Sequence, residues 1–435
     1  MRKKIQVGSK NSTPFFKGQH IKDLKCTDIS NLGYGVFKHN GYTIFALNAL
    51  VNERVDIELF DIKRKYAIGR ITTYHTRSEN RVDMKQAHVL NANRYINVDY
   101  ETQVKIKEAQ MTKLFNQPVT LKQANQQFNY RNKSEFFYAN HKLNMIDDKH
   151  QYQPIKTCVL SLPAINTLLP LIEEALNNHP RAQISSVIIR HSAYEDKSLI
   201  IFVSKLENRH QDKIAQEIIG ATENIKGIIL NVGPSENHLF NDKEVMLYGE
   251  DYLIEKLMNK QFKLTSKSFY QINQEQTVKL YETIIDFAQF KSSDNVADLY
   301  CGVGTIGIII SDYVNSVIGI EVVSDAVKAA QDNIDLNDIH NVSIVEHDLN
   351  EDLSILENID IAIVDPPRNG LSKTIIDNIA KSEIKKVVYV SCNPYSQKED
   401  LKYFEAYGYH IDKIQAVDMF INTHHVEALV LMTRE

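Results

Sequence analysis

The sequence predicts an α/β protein with three parts: a small N-terminal β-barrel, a mixed α+β central region and a C-terminal, doubly wound sheet. Five short β-prone runs lie within residues 18–76 and are separated by turn residues such as Gly33 and Asn40-Gly41, which is typical of a small barrel. From about residue 274 onward, helical and β-prone segments alternate, which is typical of a parallel sheet covered by helices. Two β-prone segments close the chain and predict an antiparallel sheet edge.

The length and composition indicate a folded globular protein of roughly two to four domains. The chain has 435 residues, of which 43% are hydrophobic and 24% are charged. It contains no apolar run of the length that a transmembrane helix requires, so we expect no membrane partner. The N-terminus lacks the apolar segment of a secretion signal, and the four cysteines form no C-x-x-C pair and no zinc spacing. We therefore expect a cytoplasmic protein without a metal site.

The N-terminal residues divide into a basic tail and the predicted barrel. Residues 1–17 carry five basic and no acidic side chains, and we expect a flexible tail there. Within residues 18–76, a run of three basic residues that begins at Lys63 precedes Tyr66. Interleaved basic and aromatic residues suit contact with single-stranded nucleic acid, and a solvated hairpin face is an equally good interpretation. The formal net charge of −5 weakly opposes a nucleic-acid partner.

The central region, residues 92–265, mixes helical and strand patterns. Residues 100–117 have helical periodicity. Residues 129–141, "NYRNKSEFFYANH", place Arg131 and Lys133 among aromatic side chains, a composition that suits a strand facing RNA. The alternative is a strand whose aromatic residues face the core.

A glycine-rich turn follows the predicted strand Val296–Tyr300. Gly302, Gly304 and Gly307 satisfy the pattern G-x-G-x-x-G, and Glu321 follows the first glycine by about 20 residues. Such glycines let the backbone approach a nucleotide, and the carboxylate can accept hydrogen bonds from ribose hydroxyls. The pattern alone predicts an adenosine site for either NAD or S-adenosylmethionine. S-adenosylmethionine is favoured, because no second mononucleotide half and no substrate domain follow.

Another predicted strand ends at a cysteine. Residues 387–390, "VVYV", predict a buried parallel strand, and Cys392 follows where that strand ends, before Asn393 and Pro394. Ligands bind at the carboxyl ends of strands in open α/β sheets. On these residues alone, Cys392 is either part of a ligand site or a small buried apolar residue.

Six motifs occur in a fixed order: "SFYQIN", "DLYCGVGTIG", "GIEVVSDAVKAAQDNIDLN", "DPPRNGL", "YVSCNP" and "HHVEALVLM". In order and spacing they resemble the RNA uracil-5-methyltransferase family (TrmA/RumA type). The resemblance covers residues 268–435 and implies a Rossmann-like methyltransferase domain there. The predicted barrel resembles the TRAM domain, an OB-like barrel that many members carry.

The resemblance implies methylation of carbon 5 of uracil in RNA and assigns two catalytic residues. Carbon 5 is too weak a nucleophile to take a methyl group directly, and addition of a thiolate to carbon 6 converts the ring into an enolate that can do so. The resemblance identifies Cys392 as this thiol and Glu427 as the base that then removes the C5 proton. Because Glu427 begins an apolar strand, partial burial should raise its pKa, as a general base needs.

The resemblance also implies S-adenosylmethionine as the cofactor and RNA as the partner. Phe269 is expected to stack on the target base, which must leave its helical stack to be modified; its alternative role is that of a core aromatic. Arg131 and Lys133 are expected to contact RNA. Cofactor contacts are expected from Gln271, Tyr300, Gly302, Gly304, Glu321 and Asp365.

The sequence departs from the family at one metal site. Many members bind a four-iron, four-sulfur cluster through three cysteines shortly after the barrel and a fourth further on. Residues 74–100 contain no cysteine, and Cys158 alone resembles the distant ligand. One thiolate cannot hold such a cluster, so we expect no iron–sulfur cluster.

Three functions remain open. The first is uridine methylation, for which the TRAM-like barrel favours 23S ribosomal RNA over transfer RNA, by a monomeric enzyme. The second is methylation of an exocyclic amine, because "DPP" at Asp365 resembles the motif of amino-methyltransferases. The third is a non-catalytic RNA-binding or assembly factor, which the presence of Cys392, Glu427 and Glu321 opposes.

Overall fold

The computed structural model describes residues 15–84, 93–147, 151–233, 243–351 and 354–435. Residues 1–14 of the predicted basic tail lie outside these ranges. The chain divides into two compact units, one of residues 1–110 with 422–424 and the other of residues 111–421 with 425–435. No helix within the described ranges is both long and apolar enough to cross a membrane.

The first unit contains a closed five-stranded barrel, which confirms the sequence prediction. Its strands are β1 (His20–Ile29), β2 (Gly35–His39), β3 (Tyr42–Ala46), β4 (Arg54–Ile62) and β5 (Tyr66–Thr76), and they close in the order β1-β2-β3-β5-β4. Alternate residues point inward, so that Phe37, Ile44 and Ile57 are fully buried. Asn40 and Gly41 join β2 to β3 with left-handed φ angles of 50° and 78°, as a tight hairpin turn requires.

Helix α1 (Tyr100–Phe115) lies where the helical periodicity predicts it. The Asp99 carboxylate accepts a hydrogen bond from the backbone N–H of Thr102 at 2.8 Å, which satisfies a donor of the first turn. The helix buries two polar side chains, those of Gln103 and Lys107, which the periodicity of apolar residues alone does not predict.

The second unit begins with a two-residue strand, β6 (Leu121–Lys122), and contains two large sheets. The first sheet has seven strands in the order β13-β12-β11-β10-β7-β8-β9. These strands are β7 (Lys133–Ala139), β8 (Lys142–Ile146), β9 (Tyr152–Pro154), β10 (Ile184–Ser192), β11 (Lys197–Ser204), β12 (Ile225–Val232) and β13 (Lys243–Gly249). Helices α2 (Pro163–Asn178) and α3 (Arg209–Ala221) alternate with them in the chain, and β14 (Tyr252–Leu257) and β15 (Lys260–Thr265) form a separate hairpin.

The second large sheet is the doubly wound sheet that the sequence predicts. Its remaining strands are β16 (Asn295–Leu299), β17 (Ser316–Glu321), β18 (Val342–Glu346), β19 (Ile361–Val364), β20 (Lys386–Ser391), β21 (His410–Val417) and β22 (Glu427–Thr433), in the order β18-β17-β16-β19-β20-β22-β21-β6. The helices of this region are α4 (Gln274–Ala288), α5 (Thr305–Ile310), α6 (Ser324–Leu336), α7 (Lys373–Lys381) and α8 (Pro394–Ala406).

Two details of this sheet go beyond the sequence prediction. β22 lies between β20 and β21 and is antiparallel to both, so the last strand of the chain is inserted beside the strand that leads to the cysteine. β6 adds to the far edge, parallel to β21, and is too short for a sequence pattern to reveal. The separate central domain of residues 92–265 stays a prediction.

Candidate active site

Two neighbouring strands bring Cys392 and Glu427 to the same edge of the eight-stranded sheet. Ser391, at the end of β20, pairs with Ala428, near the start of the antiparallel β22. Cys392 follows Ser391, and Glu427 precedes Ala428. The two residues therefore lie on adjacent strands at the same level, although they are far apart in the sequence.

The parallel strands bring two further predicted residues to this edge. Val364, the last residue of β19, pairs with Tyr389 of β20, and Leu299, the last residue of β16, pairs with Val364. Asp365 and Tyr300 follow these strand ends. They therefore lie at the carboxyl edge of the sheet, where open α/β sheets bind their ligands.

The strand ends border a cavity of about 500 Å³, a volume typical of small-molecule sites. Seven predicted site residues line this cavity: Phe269, Gln271, Tyr300, Gly302, Asp365, Cys392 and Glu427. Other residues of its wall include Tyr281, Thr305, Pro366, Arg368 and Phe420. Among the described residues, four predicted ones are not part of this wall: Arg131, Lys133, Gly304 and Glu321.

Glu321 ends β17 beside the glycine turn. Its carboxylate accepts hydrogen bonds from the backbone N–H groups of Gly302 at 3.1 Å and of Val322 at 2.9 Å. Because Gly302 lines the cavity, the carboxylate is next to the cavity wall. This is the position in which an acidic residue accepts hydrogen bonds from ribose hydroxyls in nucleotide-binding α/β folds.

The turn itself has an unusual backbone. Tyr300, Gly302 and Gly304 have left-handed φ angles of 64°, 54° and 80°. A tyrosine in this region is strained, and such strain clusters at functional sites. A β-carbon on Gly304 would lie 3.3 Å from the β-carbon of Ala330, whereas nothing lies within 4 Å of one on Gly302. Gly304 thus permits the close approach of α6, while Gly302 leaves open space at the cavity.

The Glu427 carboxyl group lies in an environment that opposes its ionisation. The side chain is 2% exposed, and Oε2 has no hydrogen-bond partner among the described residues. Burial raises the pKa of Glu427 well above its usual value, the charge of Asp365 raises it further, and Arg368 opposes this effect. Burial also raises the pKa of Asp365 to about 7. A carboxylate with a raised pKa is a stronger base near neutral pH.

The Cys392 thiol is half-buried. Burial raises its pKa, and the charge of Glu427 raises it further. The Arg368 guanidinium lowers the pKa of Cys392 both by its charge and by a hydrogen bond to the sulfur. Arg368 is therefore the positive group of the site that stabilises a thiolate, the reactive form of cysteine.

Sequence reasoning missed the part that Arg368 plays, although the residue stands in the quoted motif "DPPRNGL". The Asn393 side-chain amide donates a hydrogen bond to the Arg368 carbonyl at 2.9 Å, and the Ser396 hydroxyl donates another at 3.1 Å. The loop that carries Arg368 is thereby fixed to the residues that follow Cys392. The feature of the sequence that could have identified Arg368 as a site residue is its position three residues after Asp365.

Residues 99–435 match the sequence pattern of the tRNA (uracil-5-)-methyltransferase family. The chain belongs to this family.

Several proteins are similar to this chain over nearly their whole length. An uncharacterised RNA methyltransferase of Staphylococcus aureus (strain MRSA252) is 30% identical over 94% of this chain and 97% of that protein. An uncharacterised RNA methyltransferase of Bacillus cereus is 29% identical over 98% of this chain and 99% of that protein. The crystal structure of Pyrococcus abyssi tRNA (uracil-54, C5)-methyltransferase in complex with S-adenosyl-L-homocysteine matches with a TM-score of 0.80 at 20% identity, over 94% of this chain and 99% of that chain.

Membership of the tRNA (uracil-5-)-methyltransferase family confirms the reaction class that the sequence resemblance implies. The protein is an RNA (uracil-5-)-methyltransferase. The roles of individual residues and the identity of the RNA stay predictions.

In this methyltransferase, the loop that carries Phe269 is held by buried polar side chains. The Arg190 guanidinium donates a hydrogen bond to the Ser268 carbonyl at 2.6 Å, and the Asn132 side-chain amide donates one to the Gln271 carbonyl at 3.1 Å. The ring of Phe269 is 73% exposed, so it is not a core aromatic. An exposed ring on a fixed loop at the cavity suits stacking on a base.

Lys133 is the first residue of β7 in the second unit, and Arg131 precedes it by two residues. Lys133 pairs in the sheet with the buried Arg190, and burial together with the charge of Arg190 lowers the pKa of Lys133 to about 8. Nε of Arg131 is buried and has no hydrogen-bond partner among the described residues. Contact of these two residues with RNA stays a prediction.

Cys158, the residue that resembles a distant cluster ligand, is buried. Its backbone N–H donates a hydrogen bond to the Asn166 side chain at 2.7 Å. In the part of the chain that the structure describes, no three His, Cys, Asp or Glu side chains are grouped so that they could hold a metal ion. The absence of an iron–sulfur cluster stays a prediction.

Proposed function

We propose that this protein transfers the methyl group of S-adenosylmethionine to carbon 5 of a uridine in RNA by way of a covalent bond between Cys392 and carbon 6. The observation that carries the proposal is the register of β20 and β22, which brings Cys392 and Glu427 together at one cavity. The reaction needs a thiol and a base, whereas methylation of an exocyclic amine needs no thiol.

The residues around the cavity suit S-adenosylmethionine, which supplies an electrophilic methyl group when bound. Glu321 would accept hydrogen bonds from the ribose hydroxyls, and the open space at Gly302 leaves room for the nucleoside. Gln271, Tyr300 and Asp365 line the same cavity and would contact the rest of the cofactor. The Pyrococcus abyssi protein binds S-adenosyl-L-homocysteine, which differs from S-adenosylmethionine by the loss of the transferred methyl group.

The first step is the addition of Cys392 to carbon 6 of the uracil. The thiol gives up its proton to solvent water, a sulfur electron pair forms the S–C6 bond, and the C5–C6 π electrons move into an enolate. Burial opposes the loss of this proton, and the Arg368 guanidinium favours it by stabilising the thiolate. The exposed Phe269 ring would hold the extruded base while the bond forms.

After methyl transfer, carbon 5 bears both the new methyl group and its original hydrogen atom. The Glu427 carboxylate accepts this hydrogen as a proton, and the C5–H electrons re-form the C5–C6 double bond. The S–C6 bond breaks in the same step, and its electron pair leaves with the sulfur as the Cys392 thiolate. The raised pKa of Glu427 suits this role, because a base accepts a proton best when its pKa is close to the working pH.

The RNA substrate that we propose is 23S ribosomal RNA. The support is the barrel, whose hairpin between β4 and β5 carries the exposed basic run that begins at Lys63. Transfer RNA is the second candidate, because the family name and the Pyrococcus abyssi enzyme both refer to it. We also propose that the enzyme is a monomer, which a mass measurement by light scattering would test.

The substrate experiment is a map of 5-methyluridine in RNA from a strain that lacks this protein. We expect one or more 23S positions to lose the modification and to regain it when the purified protein is supplied with S-adenosylmethionine. Loss from transfer RNA with intact 23S RNA would replace the ribosomal proposal by the second candidate.

The chemical experiment is the Cys392→Ala variant. It should bind RNA and S-adenosylmethionine but form no covalent adduct and no product, because the other cysteine of the cavity wall, Cys301, is buried and burial raises the pKa of its thiol well above the usual value. Methylation at the wild-type rate would exclude the thiol mechanism and would favour methylation of an exocyclic amine.

A further inference from the structure

The residues that lead to Glu427 are held by a cluster of buried amide groups. Asn422, Thr423 and His424 belong to the first compact unit, and Glu427 follows His424 by three residues. Within this unit the Asn422 backbone N–H donates a hydrogen bond to Gln103 Oε1 at 3.1 Å, and Gln103 Nε2 donates to Asn422 Oδ1 at 3.0 Å. The Asn422 carbonyl accepts a third bond from the backbone N–H of Tyr95 at 2.9 Å.

The part of this cluster that lies on helix α1, the side chain of Gln103, is held rigidly. Gln103 lies in the first turn of α1 and is 1% exposed, and its Nε2 also donates to the Val98 carbonyl at 2.9 Å. The side-chain oxygen of Gln103 therefore accepts one hydrogen bond. Its side-chain nitrogen donates two, to the oxygens of Asn422 and Val98. A glutamine with its amide so fixed cannot rotate without breaking several buried hydrogen bonds, which is costly.

The loop side of the cluster is equally constrained. Asn422 is 1% exposed and has a left-handed φ angle of 67°, a conformation that asparagine tolerates better than most residues. A β-carbon on Gly33, in the turn before β2, would lie only 3.1 Å from the β-carbon of His424. The backbone of residues 422–424 is thus fixed at one end by hydrogen bonds and at the other by close packing.

We infer that Gln103 is a positioning residue for the base, Glu427, and that it acts through the backbone of Asn422. The inference rests on the proposed function, since it assumes that Glu427 removes the C5 proton. Three residues reach about 10 Å at most, so a fixed backbone at His424 restricts where the next residues run. A base must lie within hydrogen-bond reach of its proton, and a displacement of about 1 Å costs about a hundredfold in rate.

The Gln103 contact should matter for one step of the reaction and not for the steps before it. Cys392 continues the chain of β20, whereas Glu427 continues the chain of residues 422–424. Loss of the Gln103 contact should therefore spare addition of the thiol and methyl transfer but slow removal of the C5 proton. A merely structural role for Gln103 would lower stability and slow all steps together.

The test is the Gln103→Ala variant of the full-length protein, assayed with S-adenosylmethionine labelled in its methyl group. We expect a methylated protein–RNA adduct to accumulate, with adduct resolution slowed about tenfold or more and with unchanged rates of adduct formation and unchanged KM for RNA. The matched control is Gln110→Ala on the same helix, which removes a comparable amide contact, the bond of Gln110 Nε2 to the Ser30 carbonyl at 3.0 Å. This control should resolve its adduct at the wild-type rate.

A second pair of variants tests the same contact from the loop side and guards against a Gln103 variant that fails to fold. Asn422→Ala should slow adduct resolution, whereas Asn422→Asp keeps the side-chain acceptor for Gln103 and should resolve its adduct faster than Asn422→Ala. The double variant Gln103→Ala/Asn422→Ala should be no slower than the slower single variant, because the hydrogen bond that Asn422→Ala removes is already absent in Gln103→Ala.

The reference variant Glu427→Gln distinguishes the two possible failures. If Glu427→Gln stalls as a methylated adduct but Gln103→Ala and Asn422→Ala resolve theirs at the wild-type rate, the sheet alone positions Glu427 and the inference is wrong. If Glu427→Gln itself turns over normally, the proposed base is wrong, and the inference is wrong with it.

Discussion

Asp365 and Glu427 place two carboxyl groups with raised pKa values at one cavity. Asp365 follows β19, Glu427 begins β22, and β20 lies between the two strands in the sheet. Burial raises the pKa of both groups, and the charge of Asp365 makes ionisation of Glu427 harder still. Two such groups lose their protons in sequence, so the state of one depends on the state of the other.

The first prediction concerns pH. Glu427 accepts a proton only as a carboxylate, and its raised pKa keeps it protonated at low pH, so resolution of the adduct should increase as the pH rises through the raised pKa of Glu427. Asp365→Asn removes the neighbouring negative charge, which lowers the pKa of Glu427 and should move this increase to lower pH by about one unit.

The measurement is the pH dependence of adduct resolution in single-turnover reactions with saturating cofactor. Glu357→Gln, a change of an exposed carboxylate, serves as the control and should leave the midpoint unchanged. An identical midpoint for wild type and Asp365→Asn would show that the carboxyl pair does not set this dependence.

The second prediction concerns stability. Asp298 is buried, and burial raises its pKa to about 7, so the folded state holds a proton that the unfolded state releases near pH 4. The Asp298 carboxyl group therefore stabilises the folded protein most at low pH. Its contribution to the free energy of unfolding is lost as the pH rises through about 7. Asp298→Asn cannot ionise and should make the free energy of unfolding less dependent on pH between about 4 and 7. Urea titrations at several pH values measure this, and equal pH slopes for the two proteins would contradict it.

The parts of the fold that the sequence predicts are those that local patterns encode. Alternating burial along β2, β3 and the first part of β4 and the turn at Asn40-Gly41 depend on neighbours in the sequence, and so does the glycine turn at Gly302. The order of the strands in the sheet, in contrast, is not encoded by local patterns. The insertion of β22 beside β20, which brings Glu427 to Cys392, depends on pairing between distant segments and leaves no local trace.

The residues that position the site were not predicted for the same reason. Gln103 contacts Asn422, and Arg190 contacts Ser268, across long stretches of sequence. Each is a buried polar residue whose partner is set by tertiary structure, and no periodicity distinguishes such a residue from an exposed one. Arg368 was within reach of sequence reasoning, because it stands in a motif next to a predicted site residue.

The third prediction concerns the barrel. Replacement of the exposed basic run by alanines, in the variant Lys63→Ala/Arg64→Ala/Lys65→Ala, should weaken RNA binding, because fewer phosphate contacts release fewer counterions. The slope of log K against log salt should become shallower by about 0.7 for each lost contact with a single strand. Binding of S-adenosylmethionine should not change.

A filter-binding titration at several salt concentrations measures these slopes. The control is a triple alanine variant of exposed lysines elsewhere: Lys381, Lys385 and Lys402. If both variants bind RNA as wild type does at every salt concentration, the basic run of the barrel is only a solvated face.

The fourth prediction concerns iron. Cys158 is buried and residues 74–100 contain no cysteine, and one thiolate cannot hold an iron–sulfur cluster, so we expect none. Protein purified without oxygen should be colourless and free of the broad visible absorbance of such clusters. Iron in stoichiometric amount, measured by elemental analysis, would overturn this expectation.

The last prediction separates the nucleophile from the base in time. Cys392 acts first, and Glu427 acts only after methyl transfer, so Glu427→Gln should still form the adduct and accept the methyl group. The C5 proton then cannot leave, and a labelled protein–RNA adduct should accumulate and survive denaturing gel electrophoresis. Wild-type protein should be trapped in the same way by RNA that contains 5-fluorouridine, because fluorine cannot leave as a proton. Glu399→Gln, a change of an exposed carboxylate on α8, should leave turnover unchanged. Normal turnover by Glu427→Gln would move the base elsewhere, with His424 and His425 as the next candidates.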